Sequence, residues 1–141
     1  MVSMTFARRV FFIAGIYGVL VLAPQYFLEA RIGRDSPPPI THPEHFYGFI
    51  GVALAWQVLF FVIARDPVRF RAAMLPAILE KVAFGIAAIV LFAQGRLAAA
   101  VVPFAGIDLL LATLFGIAMS LTPRIAYSAH AASVSASRDA G

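Results

Sequence analysis

Four long apolar stretches, separated by short polar or proline-rich breaks, make up most of this 141-residue chain. Val10 to Leu28 and Phe46 to Ala64 each run 19 residues without a charge. Ala73 to Ala93 is interrupted only by Glu80 and Lys81, and Leu97 to Leu121 only by Asp108. None shows the strict apolar/polar alternation that a membrane-crossing strand keeps over about 10 residues. At about 1.5 Å per residue, roughly 20 helical residues cross a ~30 Å hydrocarbon layer. The pattern therefore predicts an all-α polytopic membrane protein, an antiparallel bundle of four transmembrane helices at 10–28, 46–64, 73–93 and 97–121. Residues 1–9 precede this single domain, and 122–141 form a small, polar tail expected to be disordered.

The breaks set the connections. Glu29 to His45 contains Pro37-Pro38-Pro39 and Pro43, which cannot continue a helix and favour a stiff extended path. A basic turn, Arg65-Asp66-Pro67-Val68-Arg69-Phe70-Arg71, joins the second and third stretches. Gln94-Gly95-Arg96 is the tightest link and predicts an antiparallel helical hairpin.

Composition agrees with the lipid setting. The chain is 62% hydrophobic and 13% charged, with a mean hydropathy of +0.90. Soluble domains run about half apolar and about a quarter charged, and a small fold cannot hide such an excess. A soluble enzyme, a nucleic-acid module and a disordered linker are set aside on that ground. Cysteine is absent, which removes disulfides, thiolate catalysis and Cys-ligated metals. The net charge of +4 falls mainly in the gaps, where it sets orientation rather than binding nucleic acid. The ratio of ten arginines to one lysine fits a GC-rich bacterial genome.

Seven arginines (Arg8, Arg9, Arg65, Arg69, Arg71, Arg124, Arg138) fall on one side of the predicted topology and three (Arg31, Arg34, Arg96) on the other. The positive-inside rule then predicts an inner-membrane protein with both termini cytoplasmic. Arg8-Arg9-Val10-Phe11-Phe12 resembles a twin-arginine export pattern. The apolar run behind it exceeds the roughly 7–15 residues of a signal core, and Leu28-Glu29-Ala30 is a poor cleavage site, so the first helix is expected to be retained.

Charged residues inside spans are costly, about 2.5–3.5 kcal/mol each at a helix centre, and need partners or a polar cavity. With Gly95 as the hairpin apex, Lys81 lies 14 residues before it and Asp108 13 after, hence at one depth. An ion pair across the hairpin follows. Neighbours on a helix point about 100° apart, so Glu80 is not expected to share Lys81. With Arg69 as the midpoint of the second loop, Gln57 lies 12 residues before and Lys81 12 after, which makes Gln57 the expected partner of Glu80. Gln57, Glu80, Lys81 and Asp108 thus form a predicted intramembrane polar layer, with Trp56 beside it. Such a layer either handles a proton or polar ligand group, or holds three helices in register.

A second cluster lies in the first loop: Glu29, His42, Glu44 and His45, with Tyr47. His-Pro-Glu-His matches no established metal-ligand spacing, so no metal is assigned, and Glu44 is read as complementing the positive end of the second helix. Small residues four apart (Ala14 and Gly18, Gly51 and Ala55, Ala83 and Ala87) predict internal packing faces. Tyr26, Phe46 and Tyr47 fit an outer aromatic belt, and Phe11, Phe12, Phe61 and Phe70 an inner one.

Arg8-Arg9 before the first helix, a polar first loop and three further short apolar helices together resemble small bacterial four-helix membrane proteins, DoxX-like in layout, over residues 8 to 121. The resemblance is one of plan. It implies a four-helix bundle and transfers no catalytic residue and no cofactor.

Three functions fit this reading. The leading one is a structural or accessory membrane protein, working with a membrane-protein partner or as a homo-oligomer. The alternative is a small-molecule-binding or isomerase-type protein using Glu80 or Asp108 in an intramembrane pocket. A proton-coupled transporter is least favoured, because the first helix carries no carboxylate and the charge bias opposes dual topology. A filled interior favours the first, a cavity bordered by Glu80 the second, and a continuous polar route the third.

Overall fold

The computed structural model describes residues 2–124; residues 125–141, most of the predicted tail with Arg138, lie outside the described residues. Five helices and no strand occur among them: α1 (Val2–Leu22), α2 (Glu29–Asp35), α3 (Pro43–Arg65), α4 (Met74–Ala93) and α5 (Val102–Leu121). Extended by their flanking 3-10 turns, α1, α3, α4 and α5 are each long and apolar enough to cross a membrane. The chain is a multi-pass helical membrane protein. Its outward face says the same: Leu20 is 70% exposed, Val52 63% and Ile13 62%, an arrangement that water would oppose and lipid does not.

Proline and glycine place the element ends. The ring of Pro24 supplies no N–H, so α1 stops at Leu22 and continues as a 3-10 turn over Ala23–Phe27, where Gln25 Nε2 donates to Val21 O at 3.1 Å. Pro43 opens α3, where its missing N–H is not needed. Gly95 ends α4 at φ 69°, with Gly95 N–H bonded to Phe92 O and Arg96 N–H to Leu91 O, both 2.9 Å. This is the paired closure of a helix on a left-handed residue. Gly95→Ala is expected to cost about 1–2 kcal/mol, because a Cβ is strained there. An unchanged unfolding midpoint in detergent would contradict the turn.

Two local features differ from the sequence expectation. The first helix starts at Val2, so Arg8 and Arg9 lie within it; nothing between residues 2 and 9 breaks a helix. The proline-rich connection begins as α2, whose Glu29 and Arg34 complement the helix dipole and whose Arg31 pairs with Asp35 at 3.4 Å.

In cross-section the spans follow the order α3, α1, α5, α4: α1 packs on α3 and on α5, and α5 on α4, whereas α3 and α4 barely touch. The core occupies one half of this arrangement, toward the Asp66–Phe70 turn. There Phe11, Phe60 and Phe115 are fully buried, with Phe11 stacked on Phe115 at 4.1 Å and Phe60 edge-on to Phe115 at 5.1 Å. Phe11 therefore belongs to the core and not to the predicted inner belt, because its side of α1 faces α5. Arg71 Nε donates to Thr122 O at 2.9 Å and ties the start of α4 to the end of α5. We call this half the basic end and the other the α2 end.

Small residues bring the backbones together, though not all where expected. Ala14 and Gly18 are buried, as predicted for a packing face. Ala83 and Ala87 are exposed; the small residue that α4 turns toward α5 is Gly85, where an added Cβ would lie 2.7 Å from the Leu109 side chain.

Candidate functional site

Above the phenylalanine core, the α2 half of the bundle is hollow. A cavity of about 520 Å³ lies between all four spans, within the roughly 300–1,000 Å³ of small-molecule sites. Its walls are largely apolar, from Val21 and Leu22 of α1, Phe49 and Ala53 of α3, Phe84 of α4 and Phe104 of α5. Ile32 of α2 and Ala100 and Val101 of the turn before α5 line it at the α2 end. α3 and α4, which supply Phe49 and Phe84 to its walls, have the sparsest contact of the neighbouring spans.

Gln57, Glu80, Lys81 and Asp108 all line this cavity, where it meets the core. The hairpin brings Lys81 Nζ to 3.2 Å from Asp108 Oδ1, and Lys81 donates to Asp108 Oδ2 at 3.3 Å. Lys81 and Asp108 are buried. The expectation that Glu80 stands apart from Lys81 is corrected: Nζ lies 3.3 Å from Glu80 Oε2 and donates to Oε1 at 3.4 Å. Backbone directions 100° apart do not prevent this, since four methylenes let the ammonium swing back over its own helix. The same ammonium lies 5.6 Å from the centre of the Phe60 ring, a favourable cation–aromatic placement. Lys81 is thus the hub of the floor, held by two carboxylates and an aromatic face.

Gln57 is placed differently from its predicted pairing with Glu80. Its Nε2 donates to Ala53 O of its own helix at 2.9 Å, and its Oε1 is buried and accepts nothing among the described residues. Gly18 of α1 makes room for it, because a Cβ there would run into the Gln57 amide. Glu80 Oε2 is likewise buried without a hydrogen bond, although it stays within ion-pair distance of Lys81. Trp56 does not line the cavity and packs against the core instead.

Sequence reasoning missed Tyr17 and Phe84 as cavity residues. Tyr17 carried a signal, since its hydroxyl lies midway along an otherwise apolar run; Phe84 carried none.

The first-loop cluster divides in two. Glu29 accepts from Tyr47 Oη at 2.7 Å, beside the stacked pair Tyr26–Tyr47 at 5.8 Å, and so fastens α2 to α3. His42, Glu44 and His45 gather at the start of α3, with their ligand atoms within 4.8 Å of one another. His42 Nδ1 lies 3.2 Å and His45 Nε2 3.8 Å from Glu44 Oε1, on side chains that are all exposed.

The floor's chemistry is one-sided. Lys81 serves both carboxylates, so the floor carries one more acid than base, while Gln57 Oε1 has no hydrogen-bond donor among the described residues. Gln57 Oε1 is buried against Gly18, so an entering donor reaches it only once the amide turns toward the cavity; a cationic group also meets the excess carboxylate. Compared with protein-family models, with curated proteins and with solved structures, the chain finds no match in any of the three.

Proposed function

We propose that this membrane protein binds a small, largely apolar molecule carrying a hydrogen-bond-donating or cationic head, held in the cavity between its four spans. The observation that carries the reading is the hollow half-bundle whose floor holds two carboxylates to one ammonium and a buried amide oxygen without a hydrogen-bond donor. Leaving that amide oxygen unpaired costs about 1–3 kcal/mol, which a donor head recovers, and the excess carboxylate favours a cation. The apolar walls take the body of the ligand, and the gap between α3 and α4 offers entry from the lipid.

The other readings fit less well. An accessory protein whose polar layer only sets packing needs a filled interior. Isomerase chemistry needs a carboxylate free to take a proton, and Lys81 engages both. Transport needs a polar route through the bundle, and the Phe11–Phe60–Phe115 stack fills the basic half.

The test compares 4-phenylbutylamine with 4-phenylbutyrate, which share an apolar body and differ in head. The amine is expected to raise the unfolding temperature of the protein in nanodiscs saturably, by the linkage between binding and folding, and the acid is not. Ala53→Phe, which places a ring in the cavity, is expected to abolish the response. Equal responses to both compounds, or none to either, would defeat the proposal.

A further inference from the structure

A second hollow lies at the basic end, on the outside of the α1–α3 pair. It measures about 450 Å³ and is lined by Arg8, Arg9 and Phe12 of α1 and by Phe61, Ala64 and Arg65 of α3. Antiparallel packing creates it, because Arg8 and Arg9, about two turns into α1, come level with the last residue of α3. All three arginines are exposed, and none has an ion pair or hydrogen bond to a protein group among the described residues. Asp66 is the acid nearest in sequence, and its Oδ1 accepts the Arg69 backbone N–H at 3.1 Å instead. Three guanidinium groups line one hollow with no carboxylate among its lining residues, an arrangement that favours an anion.

We propose that this hollow binds the phosphodiester headgroup of an anionic phospholipid. Guanidinium forks match phosphate oxygens two at a time, a geometry that a lysine ammonium does not reproduce. The span of α3 ends here at Arg65, and Arg8 and Arg9 lie about one turn inside the Met4–Phe27 span, within reach of the level at which lipid phosphates lie. Below the arginines, Phe12 and Phe61 meet edge-on at 5.7 Å, with Phe12 52% exposed. They form an apolar wall for the first part of an acyl chain, which a free phosphate does not need. This is also the end that the arginine count predicts to be cytoplasmic, the side where anionic lipids attract basic residues.

Native mass spectrometry of the full chain, released from mixed micelles of phosphatidylglycerol and phosphatidylcholine, tests this. The protein is expected to retain phosphatidylglycerol about tenfold over phosphatidylcholine. R8Q/R9Q/R65Q is expected to lose that preference, while R31Q/R34Q at the opposite end keeps it. Because removing these charges also weakens the topology signal, R8K/R9K/R65K is measured in parallel. It preserves charge and is expected to lose most of the preference. Equal retention of the two lipids by the unaltered chain would overturn the proposal, as would full retention by the lysine variant, which would reduce the site to a diffuse field. Displacement of the lipid by millimolar inorganic phosphate would identify a soluble-anion site and overturn the lipid assignment.

Discussion

Replacing Lys81 by methionine is expected to destabilise the protein by about 3–5 kcal/mol, the cost of leaving buried charges without their partner. The change strands two carboxylates, since Asp108 and Glu80 both lie within 3.3 Å of the ammonium. Asp108→Asn is expected to cost less, about 1.5–3 kcal/mol, the range for a hydrogen bond to a charged group. In that variant Lys81 keeps Glu80 and the face of Phe60. Lys81→Met/Asp108→Leu leaves one carboxylate instead of two, and is expected to be milder than the sum of its single changes. Denaturant unfolding in a single detergent ranks the variants. If Asp108→Asn proves worse than Lys81→Met, the ammonium is not the hub of the floor.

The second large effect concerns Gly18. Its missing side chain is the space that the Gln57 amide occupies, so Gly18→Val must either push Gln57 aside or part α1 from α3. Overpacking of this kind costs about 1–3 kcal/mol. Gly116→Ala supplies the contrast. It lies on α5 with nothing within 4 Å of an added Cβ, so alanine's better helix propensity is expected to stabilise by about 0.5–1 kcal/mol. Gly18→Val should also weaken the response to 4-phenylbutylamine, because it moves the acceptor that the amine is proposed to meet. Similar stabilities for the two glycine variants would contradict the close approach of α1 and α3.

The two sites separate cleanly in experiment. Ala53→Phe blocks the cavity and is expected to leave lipid retention at the basic end unchanged. The arginine variants are expected to leave the amine response unchanged. The core of Phe11, Phe60 and Phe115 fills the basic end, and the arginine hollow shares no lining residue with the cavity.

Much of this architecture could be counted along the chain. Apolar runs of spanning length demand helices, because backbone groups in lipid must bond within their own segment. Lys81 and Asp108 stand nearly equidistant from Gly95, and a tight hairpin converts equal counts into equal depth. Glu80 was harder, since its contact with Lys81 depends on side-chain flexibility and not on backbone direction. Counting sets Gln57 at the depth of the layer but not the group it faces, because it fixes height along a helix and says little about where an amide turns.

The amino-acid pattern alone therefore determines the four spans, their antiparallel order and the level at which the charged residues meet; each follows from helix rise, bilayer thickness and loop length. Only the tertiary structure decides that α3 and α4 stay apart, that the interior is filled toward one end and hollow toward the other, and that three unpaired arginines share a recess. Those features depend on which face each helix turns to its neighbours. In lipid that choice rests on the close fit of small residues such as Gly18 and Gly85 against particular side chains, and hydrophobic periodicity carries little of it when nearly every face is apolar.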